Sequence, residues 1–180
     1  MKKERFDQLT ISECAKLHPK ILDILFEHRR EIAIKLSDII GIHYIDHMAI
    51  IISNPKNEIV IFSKTPTIEY NLISSNLWLH DGAFSPQFFK KKSFFWWEEA
   101  YNSEYFEKIK NIKEQKHKYK LGFCLVRKIN AFYIIYSFAT RRAMIDSQSY
   151  YLSHKEDLLR MGDYCYRSIR NIYALYTTNH

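Results

Sequence analysis

Apolar residues recur along this chain in two rhythms, and the changes between them mark out the elements. Ile21, Leu25, Ile32, Leu36 and Ile39 fall at three-, four- and seven-residue steps, which predicts one helix over residues 20–40. Glu27, Arg29, Arg30, Glu31 and Lys35 take its solvent side, and Gly41 follows as a C-cap. Ahead of it, Thr10 and Glu13 have capping-box spacing, so a short helix is expected from Ile11. It ends at His18-Pro19, because a residue before proline avoids the helical region. Residues 1–41 therefore read as a helical segment. The rhythm then changes. Runs 44–53 and 58–63, rich in Ile and Val, flank Asn54-Pro55-Lys56-Asn57 and predict a β-hairpin.

Further along, Ile68, Leu72, Ile73 and Leu77 predict a helix over 67–78, and residues 94–97 a short strand. A helix over 104–117, N-capped by Ser103, turns Tyr105, Ile109 and Ile112 inward and Lys108, Lys110, Lys113 and Lys116 outward. Runs 121–128 and 132–139 predict a second hairpin, turning at Ile129-Asn130-Ala131. Ser153 and Glu156 form a second capping box. The helix they open, 153–176, carries a stripe of Leu158, Met161, Cys165, Ile169, Ile172 and Tyr176. Two hairpins and one short strand make an antiparallel sheet of about five strands with helices on both faces. The expected class is α/β (α+β), an α/β/α sandwich of PAS/GAF-like build, in one domain over 1–180.

Composition sharpens this picture. The chain has 180 residues, 47% of them hydrophobic and 16% aromatic, with 4 Gly and 4 Pro, enough for a real core and too apolar for disorder. Cys14, Cys124 and Cys165 are scattered, odd in number and form no CxxC, which fits a reducing compartment. The start MKKERFDQLT has no apolar run behind it, and no stretch is long enough to span a bilayer. A cytoplasmic protein without membrane contact is expected.

Candidate chemistry thins out on inspection. His43 and His47 form HxxxH, but on a strand four residues span roughly 13 Å, too wide for one metal ion. There is no G-x-S-x-G elbow, P-loop or G-x-G-x-x-G, and Glu98-Glu99 point apart as neighbours. Neither an enzyme nor a cofactor is expected. The net charge is +7. Lys90-Lys91-Lys92, the lysines of 104–117, Arg127, Lys128, Arg141 and Arg142 could form a phosphate-binding face. No helix-turn-helix pattern accompanies them, so direct DNA binding is not expected.

The stretch LWLHDGAFSPQFFKKKSFFWW, residues 77–97, concentrates the remaining features: one acid, five phenylalanines and two closing tryptophans. A few polar anchors in an apolar wall are what a small-molecule pocket needs; ordinary core is the plainer alternative. In its surroundings the stretch resembles the autoinducer-binding domain of LuxR-type regulators. The resemblance rests on Asp81 and Trp96, fifteen residues apart, on Gly122 in KLGFCLV, on the strand FYIIYSFAT and on the closing helix 153–176. It covers most of the chain from Gly41 to Tyr176.

The resemblance implies that Asp81 accepts a hydrogen bond from a ligand and that Trp96 lines the pocket. Tyr70, Trp78 and Ser137 complete the candidate set. For Asp81, a turn or capping role before Gly82 is the alternative. The chain departs from the family where Gly82 stands in place of proline, and where Thr65-Pro66-Thr67-Ile68-Glu69-Tyr70 keeps only the proline of the lactone-reading helix. The implied ligand is thus a small organic signal molecule, without extension to acyl-homoserine lactone. Family regulators continue into a helix-turn-helix, whereas this sequence stops at His180. The implied function is a signal-sensing regulatory domain acting through protein contacts, as a homo- or heterodimer through terminal helices 20–40 and 153–176. The alternative is a ligand-free interaction protein that docks an acidic partner on its basic face.

Overall fold

The computed structural model describes residues 14–142 and 145–177. The short helix expected from Ile11 lies outside them. Lys16–Leu17 form a two-residue edge strand, β1, inside the segment expected to be helical. Helix α1 (Ile21–Phe26) and α2 (Arg29–Ser37) follow, where one helix was expected. The break falls at Glu27 and His28, two polar residues inside the seven-residue gap between Leu25 and Ile32. All five stripe residues are buried, and Gly41 has φ +90°, as a C-terminal stop requires.

The hairpin strands are β2 (His47–Ser53) and β3 (Glu58–Ser63), followed by α3 (Pro66–Ser74). After the 3₁₀ turn Leu77–His80 come α4 (Pro86–Phe89), β4 (Phe94–Trp96), α5 (Trp97–Ala100) and α6 (Phe106–Lys113). The cap of this region is Asn102, whose side chain accepts from Glu104 N, and not Ser103. Strands β5 (Leu121–Ile129) and β6 (Phe132–Thr140) form the second hairpin. Helix α7 (Ser147–Ser153) precedes the long α8 (Lys155–Thr177). Ser153 closes α7, its hydroxyl donating to Tyr150 O, so it does not cap α8.

The sheet order is β1-β3-β2-β6-β5-β4. Every pairing is antiparallel except the short β1–β3 contact. Five antiparallel strands thus match the expected sheet, and β1 adds a parallel sixth. Alternation along each strand gives each face its own core. One contains Ile51, Ile61, Ile135 and Ala139 under α3 and α6. The other contains Ile50, Phe62, Phe123 and Phe138 under α2, α7 and α8. This is the α/β/α sandwich expected. Among the described residues no helix is long and apolar enough to cross a membrane.

Candidate ligand-binding site

Asp81 follows the 3₁₀ turn Leu77–His80 and is held in place from two sides. A bridge pairs it with Tyr101, and Asn102 N donates to His80 O at 2.8 Å. Both carboxylate oxygens accept a hydrogen bond. Oδ1 accepts from Ala83 N at 3.0 Å and caps the next 3₁₀ turn. Oδ2 accepts from Lys113 Nζ at 2.8 Å, with both side chains buried. The capping alternative for Asp81 is therefore observed, and an ion pair comes with it.

Lys113 departs from the expectation that it faces water. It ends α6 on the same stripe as Ile109 and Ile112, and helical spacing carries it under the sheet. Its ammonium lies 4.4 Å from the centre of the Trp97 ring and 5.2 Å from that of Tyr101. The positive charge is thus met by one carboxylate and two aromatic faces.

Trp97, not Trp96, lies on the Asp81 side. Phe94 and Trp96 point to the face covered by α7 and α8, where Trp96 packs on Phe94 and Phe123. The chain then turns into α5 and delivers Trp97 to the opposite face, almost fully buried. The Trp97 indole N–H donates to Ser137 Oγ at 2.9 Å. Gly122 makes this possible, because a Cβ there would lie 2.0 Å from the Trp97 ring.

The structure thus joins Asp81 to Ser137 only through Lys113 and Trp97, and it separates the other candidates. Trp96 is across the sheet. Tyr70 is exposed on α3 against Phe26, at 5.8 Å between ring centres. Trp78 is half-buried against the α3–α6 core.

Three further buried groups, Glu69, His47 and Glu114, belong to this face, and of them His47 alone carried a sequence motif, the HxxxH pair. Glu69 on α3 sits among Ile68 and Leu72, and its Oε2 has no partner. Burial lifts its carboxyl to about 7, against hydrogen bonds that act the other way. His47 lies edge-on to Trp97 and against Tyr119, with Nδ1 3.3 Å from Thr65 Oγ1. Burial, with help from the Lys113 charge, lowers it to about 3, so it is neutral. Glu114 accepts from the Tyr101 hydroxyl at 3.0 Å, and burial raises its pKa.

A cleft of about 450 Å³ opens beside this network. It is lined by Leu79, His80, Asp81, Gly82, Ser85, Phe88, Glu99, Ala100, Tyr101 and Asn102. Its size is that of a small-ligand pocket, and it mixes apolar walls with a few polar groups. The HxxxH pair does not converge: His43 turns to Tyr150 and Asp157, while His47 is under the sheet. Among the described residues no group of three or more His, Cys, Asp or Glu could hold a metal ion. Cys124 and Cys165 are buried, which pushes each thiol to about 12.

This sandwich is the fold of LuxR-type autoinducer-binding domains. A structure of SdiA in complex with octanoyl-rac-glycerol superposes with a TM-score of 0.53 at 14% identity, over 81% of this chain and 60% of that one. A structure of Escherichia coli SdiA gives 0.50 at 11%, over 85% and 63%. The ligand-binding domain of VqsR from Pseudomonas aeruginosa gives 0.48 at 14%, over 83% and 93%. This chain spans about three-fifths of the SdiA chains it matches. No known family profile matches the sequence. No curated protein matches it either.

Proposed function

We propose that this chain is a small-molecule-binding regulatory domain whose ligand occupies the cleft beside Asp81. The observation that carries the reading is the cleft itself. About 450 Å³ of space lies beside Asp81 in a fold shared with SdiA, one structure of which holds octanoyl-rac-glycerol. Leu79 and Phe88 offer an apolar wall, and His80, Ser85 and Asn102 supply donors and acceptors. Within this reading the domain acts in the cytoplasm through protein contacts. Terminal helices α2 and α8 are the surface for a like or unlike partner, since Ile34 and Leu175 stand 70% and 66% exposed on them. Native mass spectrometry and calorimetry with octanoyl-rac-glycerol, acylated lactones and cell extract test the reading. A bound species that protects the domain and is lost in Phe88→Ala supports it. Absence of binding across the panel overturns it.

A second reading has its own observation. Asp81 is already paired with Lys113, and Trp97 fills the space over Gly122, as in a domain that needs no ligand. The protein would then be an interaction module, with Lys90, Lys91, Lys92, Lys108 and Lys116 as an exposed basic face for an acidic partner. Salt-sensitive capture of that partner, without any small ligand, distinguishes it.

A further inference from the structure

Where β6 ends and β5 begins, the chain gathers positive charge that it does not neutralise. Leu121 of β5 pairs with Thr140 of β6, and Lys120 N donates to Thr140 O at 2.8 Å. Lys120 and Arg141, which flank that pair, are thereby brought together at one end of the sheet. Lys118 joins them at φ +58°, in the left-handed turn that leads out of the 3₁₀ turn Gln115–His117 toward β5. Like charges set against each other across a strand pair destabilise it. Among the described residues no carboxylate pairs with the side chain of Lys118, Lys120 or Arg141.

All three line a groove of about 650 Å³, which shares no lining residue with the cleft beside Asp81. Each of its two carboxylates already has a partner. Glu98 pairs with Lys110 at 2.9 Å, and Glu114 accepts from the Tyr101 hydroxyl at 3.0 Å. Arg141 is the most firmly placed of the cations. Its Nε donates to His117 O at 2.9 Å, its guanidinium carbon lies 4.9 Å from the centre of the Tyr119 ring, and its backbone N donates to Asp46 Oδ2 at 2.6 Å. Among the described residues both terminal guanidinium nitrogens remain without a partner. A fork held in this way matches two oxygens of an oxyanion. The local field has the sign to attract one: His117 has its pKa lowered, by burial first and then by the Arg141 and Lys116 charges.

We propose that Lys118, Lys120 and Arg141 form a binding site for the phosphate of a small phosphomonoester whose organic part lies in the groove. Phosphate suits these groups better than carboxylate does. The guanidinium fork takes two oxygens, and the two ammonium groups meet the third oxygen and the second negative charge. The groove has the volume of a site for a small organic ligand, more than a bare phosphate fills. A ligand beside Asp81 is neither required nor excluded by this site.

Calorimetry at constant ionic strength with phenyl phosphate and benzoate tests the site. Phenyl phosphate is expected to saturate one site on the wild-type chain at millimolar concentration or below, and benzoate to bind more weakly. Arg141→Gln and Lys120→Gln should each weaken phenyl phosphate by about tenfold, the loss of a hydrogen bond to a charged group. Arg141→Lys, which keeps the charge and loses the fork, should fall between the wild type and Arg141→Gln. Lys108→Gln removes an exposed charge of α6 that lies outside the groove, and it should change nothing. If Arg141→Gln, which gives up its packing on Tyr119, does not fold, the exposed Lys120→Gln carries the test. No saturable binding of phenyl phosphate, equal binding of benzoate, or equal weakening by Lys108→Gln overturns the proposal. Tighter binding of a single-stranded oligonucleotide, or of vesicles containing phosphatidic acid, through the same three residues overturns it as well.

Discussion

Burial of Lys113 and Asp81 together makes each hostage to the other. Replacing one partner leaves the second as a bare charge under the sheet, a loss of about 3–5 kcal/mol for a buried pair. Asp81→Asn and Lys113→Met should each fall in that range, while the double variant recovers most of it. Asparagine can keep the acceptor for Ala83 N, so the single variant isolates the pair from the turn. Urea midpoints of the four proteins check this, and additive losses would refute the coupling. Glu69 gives a second prediction, with a sign fixed by its shift. Its folded carboxyl titrates at about 7 against 4.5 for the free group, so the native state holds a proton that the unfolded state has released. That contribution is present below pH 4.5 and lost as pH rises through 7, about 3 kcal/mol in all. Glutamine mimics the protonated form. Glu69→Gln should be more stable than wild type by about that amount at pH 8 and converge with it below pH 4.5. A pH-independent difference would count against it. His47 acts in the opposite sense, with a folded value of about 3, so its contribution is lost as pH falls from 6.5. Glu69 was hidden from sequence reading by residue type, whereas His47 entered it as half of the HxxxH pair. Lys113 obeys the spacing of Ile109 and Ile112, yet a lysine on a helix is ordinarily assigned to water.

At the level of elements, the junction of β4 and α5 decides which tryptophan reaches the site. Adjacent residues leave a strand on opposite sides, so Trp96 and Trp97 could not both face Asp81. The fifteen-residue interval from Asp81 ends on the one that faces α7 and α8. A helix starting at Trp97 was the missing information, and four residues of helix leave too faint a pattern to read. Gly122 is the sequence signal that would have corrected the phase, because it stands directly over the Trp97 ring. Gly122→Ala should therefore cost about 3 kcal/mol by overpacking against a rigid indole and a strand backbone. It should also shift tryptophan emission, with Trp97→Phe identifying the component. Gly41→Ala is the contrast. Its φ of +90° strains an alanine, but nothing lies within 4 Å of the added Cβ. It should cost about 1–2 kcal/mol and leave the emission alone. The strands and buried stripes were otherwise legible, since period-two and period-3.6 runs were long there. Boundaries failed where capping residues had other work, as Ser153 does at the end of α7.

Across the whole molecule, both faces of the sheet are covered by the chain's own helices and side chains. On one, Lys113 and Trp97 occupy the space between the sheet and α6. On the other, α8 is drawn onto the sheet at Gly162, where a Cβ would lie 2.1 Å from the Tyr136 ring. Next to it Asp163 accepts from the Tyr136 hydroxyl at 2.6 Å and from Arg127 Nε and Nη2 at 2.8 and 2.7 Å. A core filled by its own side chains has little to gain from a ligand in order to fold, because bound ligand stabilises only in proportion to its preference for the native state. The chain, unfolded in urea, dialysed in denaturant to strip small molecules and returned to plain buffer, should regain its original midpoint in one cooperative transition. Tryptophan emission and far-ultraviolet dichroism followed together give the measurement, and coincident curves are the expected result. Recovery only after cell extract or octanoyl-rac-glycerol is added would show instead that the filled core is not self-sufficient. That outcome would move the ligand from the cleft into the folding unit itself.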